Sequence, residues 1–185
     1  MIRNERVRKM TRLAMLIALS VVLVLVVHIP YPPAPFLEYD PADIPILIAT
    51  FIYGPWYGVL VTLVASLIQG VTVSSVSGII GIVMHFVATS AVCLVAGYIY
   101  KSKKTMGSAV VALVAGTLVK TVVMVGCNYV LTPIFMGAPR EQVVAMLLPI
   151  IVPFNLLKSG INSLVTFFVY KPISRLFAKK PSEKK

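Results

Sequence analysis

The sequence predicts an all-α integral membrane protein, and two observations lead to this prediction. First, 58% of the 185 residues are hydrophobic and only 12% are charged, whereas soluble domains carry about 25% charged residues. Second, the apolar residues are grouped in long runs, and about 20 consecutive apolar residues suffice for a helix to span a bilayer. A chain of this length has room for about six spans. We therefore expect a single membrane domain over residues 1–185.

The apolar runs predict six transmembrane helices, separated by charged, polar or proline-rich segments. Their expected bounds are 10–29, 43–53, 55–73, 78–100, 106–132 and 149–171, with a basic tail over 172–185. The second run is too short to cross the hydrocarbon core alone. It follows an acidic, proline-rich loop and ends at the Gly54-Pro55 turn. We expect this arrangement to leave a hollow on the outer side of the bundle, and we expect the hollow to hold a small molecule.

Each of these boundaries has a local cause in the sequence. The first helix has a basic start, as a signal peptide does, but no small-x-small cleavage site follows it before the prolines of 30–35. We therefore expect this helix to be retained. The later helices end at a polar patch, at a lysine cluster and at two prolines, which interrupt helical hydrogen bonding. These boundaries are 72–77, 101–104, Thr132-Pro133 and Lys171-Pro172.

The distribution of cations predicts the orientation in the membrane. If both termini are cytoplasmic, 14 of the 17 lysines and arginines lie on the cytoplasmic side, as the positive-inside rule requires. Most of the acidic residues then face outward. This topology accounts for the formal net charge of +11, so the charge does not indicate a nucleic-acid partner. We expect a multi-pass protein of the cell membrane, in contact with lipid and with both termini inside.

Asn128, Asn155 and Lys158 are the candidate binding residues within the spans. A charged residue at mid-span costs about 2.5–3.5 kcal/mol, so it usually faces the bundle interior or a water-filled cavity. Asn155, Lys158 and Asn162 share one face of the sixth helix, and Asn128 lies one turn inside the outer end of the fifth. Amide and ammonium groups suit a heterocycle with carbonyls and ring nitrogens. The alternative is that these groups only bond to neighbouring helices.

Other polar residues in the spans are interpreted as structural. We expect Lys120 to pair with a helix carbonyl or an inward-facing hydroxyl, and His85 to be a satisfied interior histidine. Cys93 and Cys127 lie in apolar runs, where thiols behave as small hydrophobes, so neither a disulfide nor a metal site is expected. Small residues four apart, Ala14 and Ala18, permit close helix packing, either on a partner or within the chain.

Enzymatic motifs are absent from the sequence. It contains no P-loop, HExxH or GxSxG pattern, so ATP hydrolysis, proteolysis and ester hydrolysis have no candidate catalytic residues. Every acidic residue is expected in a loop or tail, whereas a proton-coupled carrier usually holds an intramembrane carboxylate. This pattern favours a transporter that takes its energy from partner proteins. A self-sufficient small-molecule carrier and a purely structural membrane subunit remain as alternatives.

Four segments resemble the riboflavin-specific S-components of energy-coupling factor (ECF) vitamin transporters, across nearly the whole chain. They are EYDPADIPILIATFIYGPWYGVLV, SGIIGIVMHFVATSAVCLVAGYIY, GTLVKTVVMVGCNYVLTPIF and PFNLLKSGIN. The resemblance implies a six-helix S-component bundle that binds riboflavin as transported substrate, with no cofactor and no catalysis of its own. It also implies a transmembrane coupling subunit and two ATP-binding subunits as partners. S-components for FMN or another vitamin are the nearest alternatives.

The resemblance also implies roles for individual residues. Asn128, Asn155 and Lys158 match positions of the family's flavin contacts. The loop that carries Leu37, Tyr39 and Asp40 matches the segment with which the family covers its site. Ala14 and Ala18 match the AxxxA pattern that the family uses to dock on the coupling subunit.

Overall fold

The computed structural model describes residues 2–72 and 78–178, and nearly all of these residues are helical. The helices are α1 (Ile2–Val26), α2 (Asp43–Tyr53), α3 (Pro55–Thr72), α4 (Gly78–Ser102), α5 (Met106–Met136), α6 (Arg140–Met146) and α7 (Val152–Ala178). A π-helical turn, Leu147–Ile151, joins α6 to α7. Five helical segments within the described ranges are long and apolar enough to cross a membrane, α6 and α7 counting as one segment. Most of the predicted polar patch of 72–77 and the last residues of the predicted basic tail, 179–185, lie outside the described residues.

Two predicted helix ends are wrong, because both helices continue past their prolines. α5 runs through Pro133 to Met136, and α7 runs through Pro172 to Ala178. A proline removes only its own amide hydrogen bond, so the residues that follow it can still bond to carbonyls one turn back. α5 ends instead at Gly137, whose φ of +60° is a left-handed conformation that glycine adopts without strain.

The loop before α2 contains a β-hairpin, which the all-α prediction missed. Strand β1 (Ile29–Tyr31) pairs antiparallel with β2 (Ala34–Tyr39), and Ile29 lies opposite Tyr39. The prolines of this segment indicated an irregular loop. Both strands of a two-stranded sheet are edge strands, however, and edge strands tolerate prolines on the side that does not donate.

The short helix α2 lies at the centre of the bundle and packs against α1, α3, α4 and α7. Its residues Ile46, Ile48 and Ala49 are at most 1% exposed. Close packing against α3 requires glycine at position 58, because a Cβ there would lie 2.0 Å from the Thr50 hydroxyl oxygen. Neighbouring helices enclose α2, so its first residue, Asp43, is buried inside the protein.

Candidate ligand-binding cavity

A cavity of about 170 Å³ lies between the hairpin, α3, α4 and α5. Its wall combines seven apolar side chains with eight polar ones, and small-molecule sites usually join apolar surface to placed polar groups. The hairpin contributes Phe36, Leu37, Glu38 and Asp40. The polar side chains from the helices are Ser66, Gln69, His85, Lys120, Asn128 and Thr132, and the larger apolar ones are Ile80, Ile82, Met84, Met124 and Phe135.

Three of the six predicted substrate-binding residues, Leu37, Asp40 and Asn128, lie in the cavity wall. Asn128 is 1% exposed, and its amide nitrogen donates to the Met124 carbonyl at 2.7 Å. Its amide oxygen accepts from the Thr132 hydroxyl at 2.8 Å. These two bonds fix the orientation of the amide, so it presents a defined donor and acceptor pattern at the cavity.

The other three predicted residues, Tyr39, Asn155 and Lys158, are not among the residues that line the cavity. Asn155 is buried and donates from its amide nitrogen to the carbonyl of Ile151, the last residue of the π-helical turn, at 2.8 Å. A side-chain amide has two donor hydrogens and two acceptor lone pairs, so this bond uses a quarter of its capacity.

Lys158 and Asn162 of α7 hold the end of the hairpin. The Lys158 ammonium donates to the Asp40 carboxylate at 2.6 Å and to the Glu38 carbonyl at 2.9 Å. The Asn162 amide donates to the Asp40 carbonyl at 3.0 Å and accepts from the Tyr39 hydroxyl at 3.2 Å. Burial raises the pKa of the Tyr39 hydroxyl, and the nearby Asp40 charge adds to the rise. The hydroxyl therefore stays protonated and able to donate.

Asp43 was not predicted from the sequence, and it supports the site through contacts with Lys120 and His85, which line the cavity. It opens α2 and is only 4% exposed, so the prediction that every acidic residue lies in a loop or tail is wrong. Its carboxylate accepts from the Lys120 ammonium and, at 3.1 Å, from the Thr89 hydroxyl. A lysine in the middle of a span needs a buried partner, and this requirement was the signal that could have identified an inward-facing carboxylate.

Lys120 and His85 both have interior partners and both line the cavity. The hydroxyl predicted for Lys120 is present, whereas its pairing with a carboxylate was not predicted. The Lys120 ammonium donates to the Thr89 hydroxyl at 3.2 Å in addition to Asp43. Nδ1 of His85 lies 2.7 Å from the Ser66 hydroxyl, and Nε2 lies 3.4 Å from the Asp43 carboxylate. Both residues therefore belong to the candidate site, where the sequence analysis had assigned them only structural roles.

The two alanines of the predicted docking surface lie on the outward face of α1. Ala14 and Ala18 are both exposed, whereas Leu13, Leu16 and Ser20 of the same helix are buried against the bundle. Close packing of Ala14 and Ala18 inside this chain, the alternative left open by their spacing, does not occur in the structure.

The fold and the cavity define a multi-pass membrane protein with a small-molecule site. The chain belongs to the family of ECF transporter substrate-specific components, whose model matches residues 8–170. This is a family of transporters and not of enzymes, and no cofactor is expected for its members. Membership implies interaction with an ECF module. Because Asp43 lies inside the bundle, the dependence on partner proteins now rests on the family and not on an absence of buried acids.

Two curated relatives and two solved structures are similar over most of the chain. "Riboflavin transporter RibU" of Staphylococcus aureus is 30% identical over 179 residues, 93% of either chain. "Riboflavin transporter FmnP" of Bacillus subtilis is 29% identical over 174 residues, 89% of this chain and 91% of the relative. The structure of the S component of a bacterial ECF transporter superposes with a TM-score of 0.80 at 29% identity, over 94% of this chain and 99% of that one. ThiT from Listeria monocytogenes, at 16% identity and a TM-score of 0.69 over 94% and 99% of the two chains, shares the fold.

Proposed function

We propose that this chain is the riboflavin-binding subunit of an ECF-type vitamin transporter. The observation that carries the proposal is the cavity between the hairpin and helices α3 to α5, which combines apolar side chains with polar ones, among them the fixed amide of Asn128. The isoalloxazine ring of riboflavin has a flat apolar body with carbonyls and nitrogens along one edge, and such a wall complements both parts. The similarity to two riboflavin transporters over about nine-tenths of the chain supports the same ligand.

The proposed site consists of Leu37, Tyr39, Asp40, Asn128, Asn155 and Lys158. The two amides would pair with the polar edge of the ring, and Lys158 would hold the covering hairpin and supply a charged donor. Leu37, Tyr39 and Asp40 of the hairpin would close over the ligand and exclude water. The ligand needs more room than the present cavity provides, so binding would displace part of this wall.

We further propose how the chain acts in transport. Riboflavin would be captured on the outer side of the cell membrane, by six helices with both termini in the cytoplasm. Ala14 and Ala18 would dock on a transmembrane coupling subunit, and two ATP-binding subunits would supply the energy. The exposed position of both alanines on α1 supports this docking surface.

Riboflavin binding is tested directly on the purified protein in detergent. We expect it to carry a flavin through purification, with a yellow colour, or to quench the fluorescence of added riboflavin with saturation. The reason is that burial in a cavity with an apolar wall and hydrogen-bonding groups changes the surroundings of the ring. Thiamine, a vitamin without a flavin ring, serves as the control and should not compete. A helical, monodisperse preparation that neither carries nor binds riboflavin would overturn the proposed function.

The orientation is tested by cysteine labelling in intact cells. In a background that lacks Cys93 and Cys127, we introduce Pro33→Cys in the hairpin turn, Arg140→Cys at the start of α6, and Lys103→Cys between α4 and α5. The first two positions should react with a membrane-impermeant maleimide and the third only after permeabilisation, because the cation-rich connections are cytoplasmic. Labelling of position 103 from outside would contradict the six-helix arrangement with cytoplasmic termini.

A further inference from the structure

The interior of the bundle contains two lysines near the cavity, and each is already paired with a carboxylate. Lys120 donates to Asp43, and Lys158 lies 2.6 Å from Asp40. The side chains of both pairs are at most 18% exposed. A buried cation that is paired in this way is neutralised locally, so it attracts a further anion only weakly.

The cavity wall is consequently poor in free positive charge. Among the residues that the structure describes in this wall, Lys120 is the one lysine or arginine. Its charge is neutralised by Asp43, which does not itself line the cavity. Two carboxylates, those of Glu38 and Asp40, line the same cavity, and the Asp40 carboxylate is paired with Lys158. Glu38 is half-buried and has the exposed His28 ring 3.4 Å away.

This charge arrangement favours an uncharged ligand over a phosphorylated one. A phosphate carries a charge near −2 at neutral pH and loses its hydration when it enters a cavity. Sites that bind phosphate compensate this loss with unpaired arginine or lysine side chains or with helix N-termini. Here the ammonium at the wall already has an anionic partner, and the Glu38 carboxylate lines the same cavity.

We infer that Asp43 is a specificity-determining positioning residue: by neutralising Lys120 it makes the cavity select riboflavin against riboflavin 5′-phosphate. This inference rests on the proposed function, because it assigns a basis for selectivity to the same flavin site. Asp43 acts through Lys120 and not by contact with the ligand. Its carboxylate is held in place by the Thr89 hydroxyl at 3.1 Å and the Asn162 amide at 3.5 Å.

The test compares the dissociation constants of the two flavins for the parent protein and for Asp43→Asn, each measured by fluorescence quenching in low-salt buffer. Asparagine keeps the size of the side chain and an acceptor for Thr89, but it leaves the Lys120 charge uncompensated at the wall. We expect the ratio of the phosphate's dissociation constant to that of riboflavin to fall by about tenfold or more, because two charges a few ångströms apart inside a protein interact strongly. If Asp43 had a purely structural role, the affinities for both flavins would fall together and the ratio of their dissociation constants would stay unchanged.

A second variant should change the ratio of the two dissociation constants in the opposite direction. It tests the inference even if Asp43→Asn does not fold. Lys120→Met removes the cation and leaves the Asp43 carboxylate uncompensated, so the ratio should rise. In the double variant Asp43→Asn with Lys120→Met both charges are gone, and the ratio should return towards the parent value.

An unchanged ratio in folded Asp43→Asn, or a ratio that does not rise in Lys120→Met, overturns the inference. If the parent still binds riboflavin in those experiments, the proposed function stands. A parent that binds neither flavin overturns the proposed function, and the inference with it. The two failures are therefore distinguishable in one set of titrations.

Discussion

Replacement of both Ala14 and Ala18 by leucine is expected to abolish riboflavin uptake while riboflavin binding by the isolated subunit stays intact. Both alanines are exposed on the outward face of α1, away from the cavity-lining residues. Helix association in membranes depends on close packing of small residues, because lipid provides no hydrophobic driving force between helices. Bulkier side chains at a closely packed contact typically cost about 1–3 kcal/mol each, and two such changes would separate the surfaces.

The measurements are uptake of labelled riboflavin by cells that express the complete transporter, and co-purification of the coupling subunit with the variant. The matched control is Val111→Leu with Val122→Leu, which enlarges two exposed side chains of α5 and should leave uptake unchanged. If the alanine variant loses its fold and its riboflavin binding together, the two alanines serve the stability of this chain. Normal uptake would remove the AxxxA surface from the docking proposal.

The helical core of the fold was predictable from the sequence because each long apolar run has one stable state in a bilayer. A helix satisfies its backbone hydrogen bonds internally, and lipid offers no other partner. Helix ends were less predictable. Pro133 and Pro172 each remove one hydrogen bond but lie near ends where one or two further turns still form.

The hairpin and the Asp43 cluster could not be read from local sequence. The hairpin depends on strand pairing between two segments rich in proline, a composition that indicates a loop. Asp43 and Lys120 are 77 residues apart, and their contact depends on how α2 sits among its neighbours. Before that packing is known, Asp43 is indistinguishable from the acidic loop residues Glu38 and Asp40.

Only part of the candidate site was predictable, because some of its contacts depend on the hairpin. Asn128 faces the cavity, as expected from its depth in α5. Lys158 was expected to contact ligand, and the structure shows its ammonium on the hairpin at Asp40 and Glu38. Helical spacing gives the face on which a lysine lies, but the reach of its flexible stem allows several partners. The partner is decided by the hairpin, which the sequence did not reveal.

Lys158→Ala is expected to weaken riboflavin binding by about tenfold or more, since removal of one partner of a buried hydrogen bond costs about 1–3 kcal/mol, or roughly five- to 150-fold in affinity. The loss should appear mainly as faster dissociation, because Lys158 holds Glu38 and Asp40 of the covering hairpin and both line the cavity. Asn155→Ala should lower the affinity by a similar factor, through loss of the amide that we propose pairs with the polar edge of the flavin. Stopped-flow fluorescence gives the association and dissociation rates separately.

Lys101→Ala is the matched control, because Lys101 is exposed at the end of α4 and its removal should change neither rate. Lys158→Met separates the two functions of the lysine: it keeps the apolar stem but loses the charge. If the charge holds the hairpin, Lys158→Met should release riboflavin as fast as Lys158→Ala does. If Lys158→Ala and Asn155→Ala both fold normally and bind riboflavin as tightly as the parent, these groups only connect α7 to its neighbours, and the ligand lies elsewhere in the bundle.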